Sequence, residues 1–488
     1  MIADISGLLA LPRPEYAKQT ELVLTDILWN SPGTSIGVVE ALSSLDSKPE
    51  DGKPSRRLVL SKRPGGSPLL TETEGWAREA GRIGIFGAEA SADIFSAAAL
   101  NSILAPSSKR DKSSTCVPVH RGTVPLQTLN GAVNKDNPPD LARAVDVMAF
   151  MGGAADLGEA GLLLARAFDD RGDTHADAFM EAVGAYVWGK LGIASPPAWP
   201  GTLANPLPLQ QADGKAAMSQ GLGAAGPPGW FWEAWMCLMD PANGWRMALP
   251  ERRFADWATC ILRTGLALTY LWEASVFRAL RDFVGDGGEH SWERLRGGLG
   301  APKLLAIQPR GTPVGDMNIS NLLVAGLGDG YYARSALLEA VDELPSVQFD
   351  LSAGREAAIA KLAHVNLDPD LLSRDPKNAP KTMREFVRYL LLARAADDAD
   401  ADEADLYYLA RSRGRYTWVE PGPEWIVVVA SLAAGKPGQQ CTLGDVARRL
   451  ARLGIVLDRA TLVHLLEEAG LTQDSPDADE ALVVNSGF

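Results

Sequence analysis

The sequence predicts a mainly α-helical chain with a mixed α/β N-terminal region. From Pro139 onward, apolar residues recur at three- and four-residue spacing through most segments. In the first 140 residues, Pro, Gly and polar clusters leave only short β-like runs. Composition fits this: 46% hydrophobic and 22% charged residues describe an ordinary globular chain and exclude wholesale disorder. At roughly 100–200 residues per domain, two to four domains are expected.

Residues 1–140 form the mixed region. Breaks fall at Ser47–Pro54, Arg63–Pro68 and Pro106–Ser114. Leu58–Ser61 and Ile83–Phe86 read as short strands, and Ser91–Leu104 as an Ala-rich helix. Residues 141–396 form a helical, Trp-rich body. Its first helices are expected at Leu141–Met151, Gly158–Asp169 and Ala176–Leu191, followed by a Pro/Gly-rich excursion over 195–229. Helices resume at Trp230–Met239 and across Phe254–Val284, a span long enough to invite an interruption. Seven of the 13 Trp lie between Trp230 and Trp292. At helical spacing they are core first, and a partner-docking surface second. The acidic run Asp397–Asp405 reads as a solvated loop before the last domain, 406–488, and as a protease-sensitive boundary.

The formal charge is −14, so the chain as a whole repels phosphate backbones and anionic membranes. Cys116, Cys237, Cys260 and Cys441 are far apart, which argues against zinc ribbons, iron–sulfur clusters and disulfide frameworks. The start carries Asp4 where a signal peptide needs a cation. The longest apolar stretch, Cys260–Trp272, is broken by Arg263 and is too short for a bilayer. A cytoplasmic protein without membrane contact is expected.

Residues 406–488 are the most legible. Tyr407–Trp418 carries Arg411, Arg413 and Arg415 on a loop or strand. Helices are expected at Pro423–Ala434, Leu443–Leu453 and from an Asp458 N-cap to Ala469. Thr442 and Asp445 stand at capping-box spacing. Leu471–Asp474 and Ala481–Val484 read as two strands around a turn. Three helices followed by a hairpin resembles a winged-helix domain. That resemblance implies a third helix laid in the DNA major groove, with cations on phosphates. Residues 411–459 supply eight cations, Arg411, Arg413, Arg415, Lys436, Arg448, Arg449, Arg452 and Arg459, against four acids. Glu467, Glu468 and the acidic wing suit a protein-binding module instead, so double-stranded DNA and protein partners both stay open.

A second motif is Gly326-Leu-Gly328-Asp-Gly330, after the apolar run Ile319–Ala325 and before a helix and a second β-like run ending at Asp350. Strand, glycines, helix, strand and acid resembles the S-adenosylmethionine pocket of methyltransferases, which would make Gly326, Gly328, Gly330 and Asp350 cofactor residues. The alternative is a tight interhelical turn. Asp169–His175 gathers acids and a histidine without the second histidine cluster a metal hydrolase needs. No Walker A, G-x-S-x-G or H-E-x-x-H motif occurs. No cofactor, metal or catalytic residue is assigned. The reading is a non-catalytic, DNA-contacting or partner-docking subunit of a bacterial multi-protein nucleic-acid-handling system, such as a phage-defence complex. The alternatives are a methyltransferase-like enzyme and a pure protein scaffold.

Overall fold

The computed structural model describes residues 2–4, 11–12, 24, 27, 104–105, 115–116, 141–169, 175–190, 194, 223–342, 348–350, 354–363, 365–393, 406–472 and 482–488. The chain is mostly helical with short strands. Most of the mixed region 1–140, most of the excursion 195–229 and the acidic run 397–405 lie outside the described residues. Among the described residues no helix is long and apolar enough to cross a membrane.

Elements in chain order begin with β1 (Ile2–Asp4), β2 (Leu104–Ala105), β3 (Thr115–Cys116), α1 (Leu141–Gly152), α2 (Glu159–Asp169) and α3 (His175–Lys190). Two compact units divide the chain. Glu15–Arg143 and Gly158–Pro206 make one; Met1–Pro14, Ala144–Leu157 and Leu207–Phe488 make the other. The first holds the antiparallel β2–β3 pair with α2 and α3. Residues 406–488 fall in one unit with 144–157 and 207–396, while 158–206 of the expected helical body fall in the other.

The larger unit continues with α4 (Pro227–Met239), α5 (Trp245–Ala248), α6 (Glu251–Asp286), α7 (Glu289–Gly300), β4 (Leu305–Ala306), α8 (Leu327–Asp342), β5 (Gln348–Asp350), α9 (Arg355–Leu362), α10 (Pro369–Leu372) and α11 (Lys381–Leu391). Its axis is α6, one uninterrupted helix of 36 residues, roughly 54 Å long at 1.5 Å per residue. It has no internal Pro, and it stops at Gly287, whose left-handed φ of 59° ends the last turn. Its one mid-helix glycine, Gly265, admits the Phe231 ring, which a Cβ would approach to 2.9 Å. Around α6 pack α4, α7, α8 and α11. Six of the seven clustered tryptophans (Trp230, Trp235, Trp245, Trp257, Trp272 and Trp292) are buried in this core, and Trp232 is partly so. The six buried rings stabilise the interior. Buried Arg263 donates to the carbonyls of Leu390 and Leu392 (3.1 and 2.8 Å), placing a cation at the C-terminal end of α11.

The last segment holds β6 (Ala410–Arg413), β7 (Tyr416–Val419), α12 (Pro423–Ala434), β8 (Gln440–Thr442), α13 (Leu443–Arg452), β9 (Ile455–Val456), α14 (Arg459–Glu468) and β10 (Val483–Asn485). The three helices start and stop where the sequence places them. Pro423 opens α12 and Gly435, at φ 89°, follows it. Thr442 and Asp445 form the reciprocal capping box of α13, and Asp458 accepts from the Thr461 amide at 2.7 Å to cap α14. The strands differ. β10 pairs antiparallel with β8, Val483 opposite Thr442 and Asn485 opposite Gln440. Leu471 and Thr472, the described part of the expected partner, are not in a strand; the Leu471 carbonyl instead accepts from the Asn485 amide at 2.8 Å. β9 adds a parallel contact with β4, Ile455 opposite Leu305.

A polar and aromatic seam joins this segment to the body. Trp425 Nε1 donates to Thr264 Oγ1 at 2.9 Å, both buried. The Gly435 carbonyl accepts from Trp245 Nε1 at 2.9 Å and from Cys237 Sγ at 3.2 Å. Phe488 packs edge-on against Trp257 and under the Arg253 guanidinium, which also pairs with Glu424 at 3.3 Å. Such contacts tie the two parts into one packing unit.

Candidate nucleic-acid interface

The eight cations read as a basic island separate into distinct environments. Arg449 and Arg452 turn toward the body, where both pair with Glu233 of α4 and Arg452 also bonds the Ala224 carbonyl. Arg448 pairs with Asp445 one turn back on its own helix. That carboxyl is held below the usual range by the Thr442 hydroxyl and amide. Lys436 is exposed after α12, and Arg459 is exposed at the start of α14. The outer face of α14 is engaged within the chain: Arg310 reaches His464 Nε2 at 3.1 Å and Glu468 at 3.2 Å, while His464 and Glu468 themselves stand 3.2 Å apart.

Arg411, Arg413 and Arg415 instead stand together on the β6–β7 hairpin. A two-residue turn, Gly414–Arg415, closes it, with Gly414 at φ 59° in the left-handed region this turn requires. Register puts Arg411 opposite Trp418 and Arg413 opposite Tyr416. Opposed residues share a face, so the outer face alternates guanidinium and aromatic groups while Ala410, Thr417 and Val419 are buried on the other. Arg415 lies over the Tyr416 ring, 5.0 Å from its centroid, and donates to its hydroxyl at 2.7 Å. Arg411 lies over Tyr408 and pairs with Glu420 at 3.2 Å; the Tyr408 hydroxyl and Glu420 together favour its charged form. Exposed Arg413 makes no hydrogen bond or ion pair with a described residue.

One further cation meets the hairpin from its opposite face, where Ser412 stands across from Thr417. Exposed Arg388 of α11 donates to Ser412 Oγ at 3.0 Å. The available signal was the basic stripe Lys381, Arg384 and Arg388 at three- and four-residue spacing. The acidic run 397–405 separates it in sequence from the hairpin.

The geometry required for a glycine-loop cofactor site is not formed at 319–330. Ile319–Ala325, expected as a strand, is helical from Ser320, passing through a five-residue π-helical turn, Leu322–Gly326, directly into α8. Here the glycines serve packing. A Cβ on Gly328 would stand 2.0 Å from the Pro376 carbonyl oxygen, and one on Gly330 would stand 2.5 Å from Ala274 Cβ; one on Gly326 would meet the flexible side chains of Leu322 and Arg278. Asp329 pairs with Arg281 of α6. Asp350 lies opposite Ile2 in a two-stranded antiparallel β1–β5 ribbon, far short of a parallel sheet. Among the described residues no group of His, Cys, Asp and Glu is arranged to hold a metal ion; Asp170–Thr174 of the acidic motif lie outside them.

A buried carboxyl escaped the sequence reading altogether. Glu273, near the middle of α6, is 4% exposed, with Oε1 lacking a donor among the described residues and Oε2 3.9 Å from Arg334 Nη1. Arg334 also donates to the Leu11 carbonyl at 2.6 Å, and Tyr270 donates to that of Pro12 at 2.8 Å. Burial pushes the Glu273 carboxyl up from 4.5 to about 7, and attraction to Arg334 offsets only part of that. The folded state therefore holds this proton more tightly than the unfolded chain between those values. Stability should fall as pH rises from about 4.5 to about 7 and level off above, by up to about 3 kcal/mol from this group. Glu273→Gln should remove that loss. Its melting temperature should exceed the parent's at pH 8 and converge with it near pH 5; equal differences at both values would show that Glu273 is not the titrating group.

Comparison with protein-family models, with curated proteins and with solved structures finds no match to the chain.

Proposed function

We propose that the chain is a non-catalytic subunit that contacts nucleic-acid backbone through its C-terminal segment within a larger protein assembly. The observation that carries this reading is the exposed arginine face of the β6–β7 hairpin, formed by Arg411 and Arg413 with Arg415 at its turn, in a chain of net charge −14. Evenly solvated charges need no such grouping, whereas phosphate contact favours it. The order helix, strand, helix, strand, helix, strand over 423–485, with the last strand paired to the first, supports the winged-helix likeness. Backbone contacts of this kind fix position without reading sequence. Fluorescence anisotropy of the full chain with labelled oligonucleotides should show weak, strongly salt-dependent binding without sequence preference. Binding that ignores salt, or none even at low salt, would remove the reading.

A protein-docking role for α14 is the second reading. It is favoured by one observation: Arg310 is already paired with His464 and Glu468, and Glu467 beside them is exposed, so this helix presents acid where a DNA-reading helix needs donors.

A further inference from the structure

The hairpin face carries a finer assignment, which rests on the nucleic-acid reading above. Phosphate contact with a duplex needs cations alone, because the bases are stacked inside. The outer face of β6–β7 has more than cations. Two aromatic side chains, Tyr416 and Trp418, are half-buried opposite Arg413 and Arg411, and each is held by a hydrogen bond. Trp418 Nε1 donates to Glu420 Oε2 at 2.6 Å, and Glu420 also holds Arg411. The Tyr416 hydroxyl is held by Arg415. Beneath them the hairpin is rigid on both edges. Ile319 donates its amide to the Thr417 carbonyl at 2.7 Å and Asn318 Oδ1 accepts from the Thr417 amide at 3.1 Å, while Leu392 bridges Ala410 on the other side. Aromatic rings held opposite cations on a supported strand pair form a platform on which unpaired bases stack while the arginines follow the phosphates.

We infer that this face binds single-stranded nucleic acid, with Trp418 as a stacking residue and Arg413 and Arg415 as phosphate contacts. The third helix of the segment, α14, then takes no part in the contact. Arg413 and Arg415 are exposed, so their replacement leaves the core untouched.

The test uses the full chain, a fluorescent fifteen-nucleotide oligothymidine and a duplex of equal length. The single strand should bind more tightly than the duplex. Arg413→Ala and Arg415→Ala should each lower the salt slope for the single strand by about 0.7. Trp418→Ala should weaken binding by roughly tenfold while Trp418→Phe keeps most of it, because the ring is what stacks. Thermal melts of each variant establish that the fold is retained; should Trp418→Ala unfold, Arg413→Glu with Arg415→Glu, which should abolish binding, decides the matter. Duplex bound as tightly as the single strand, or Trp418→Ala without effect while the arginine variants weaken binding, overturns the inference and leaves the broader nucleic-acid reading standing; arginine variants without effect on either probe overturn both. Failure of the parent chain to bind either probe at low salt overturns both.

Discussion

Replacing Gly330 with valine should lower the stability of the larger unit by about 3 kcal/mol. A Cβ there would lie 2.5 Å from Ala274 Cβ, 2.6 Å from Ala274 Cα and 2.8 Å from the Ala274 carbonyl oxygen. Two of those three atoms are backbone of α6, so no rotamer change relieves the clash, and α8 must move off the helix around which the unit is packed. Gly328, where a Cβ would stand 2.0 Å from the Pro376 carbonyl oxygen, should respond similarly. Gly326→Ala, facing the flexible side chains of Leu322 at 3.0 Å and Arg278 at 3.8 Å, should cost far less. Denaturant melts of the three variants give the ranking directly. A cofactor loop would show the reverse pattern: near-parental stability with lost ligand binding.

Trp425→Ala should cost about 4 kcal/mol, at the upper end for a buried aromatic. The side chain is fully buried, and its loss also leaves Thr264 Oγ1 without the indole donor inside α6. The effect should appear in the whole unit. Because the Gly435 carbonyl, Phe488, Arg449 and Arg452 all make contacts with the body, unfolding of the C-terminal segment and of the helices around α6 should remain one transition. Calorimetry resolving an early, separate transition for residues 406–488 in the parent chain would contradict this packing.

What the sequence made legible was local. Capping of α13 by Thr442 and Asp445 and of α14 by Asp458, and the stops at Gly435, Gly454 and Gly470, depend on residues a few positions apart. Long-range pairing was not legible. Nothing near Arg449 or Arg452 signals that Glu233, more than two hundred residues earlier, takes both guanidinium groups. Ile319–Ala325 was misread for a related reason: a short apolar run satisfies strand and buried helix alike, and only its continuation into α8 decides. The tryptophan cluster was read correctly as core first, since rings at helical spacing on α4 and α6 face one another across a helix pair. The hairpin carrying the candidate site was half legible. Its three arginines stood out by charge, but Gly414 was not recognised as its turn, so the register that interleaves Arg411 and Arg413 with Trp418 and Tyr416 stayed hidden.

The proposed function puts nucleic-acid backbone on a local arginine face of a chain that is acidic as a whole. Its most direct test is the affinity of the full chain for oligothymidine across a salt series. Two phosphate contacts, Arg413 and Arg415, predict a log–log slope of about −1.4 for a single strand, abolished when both are replaced by glutamate. A slope near zero, or a slope unchanged in that double variant, would contradict the claim.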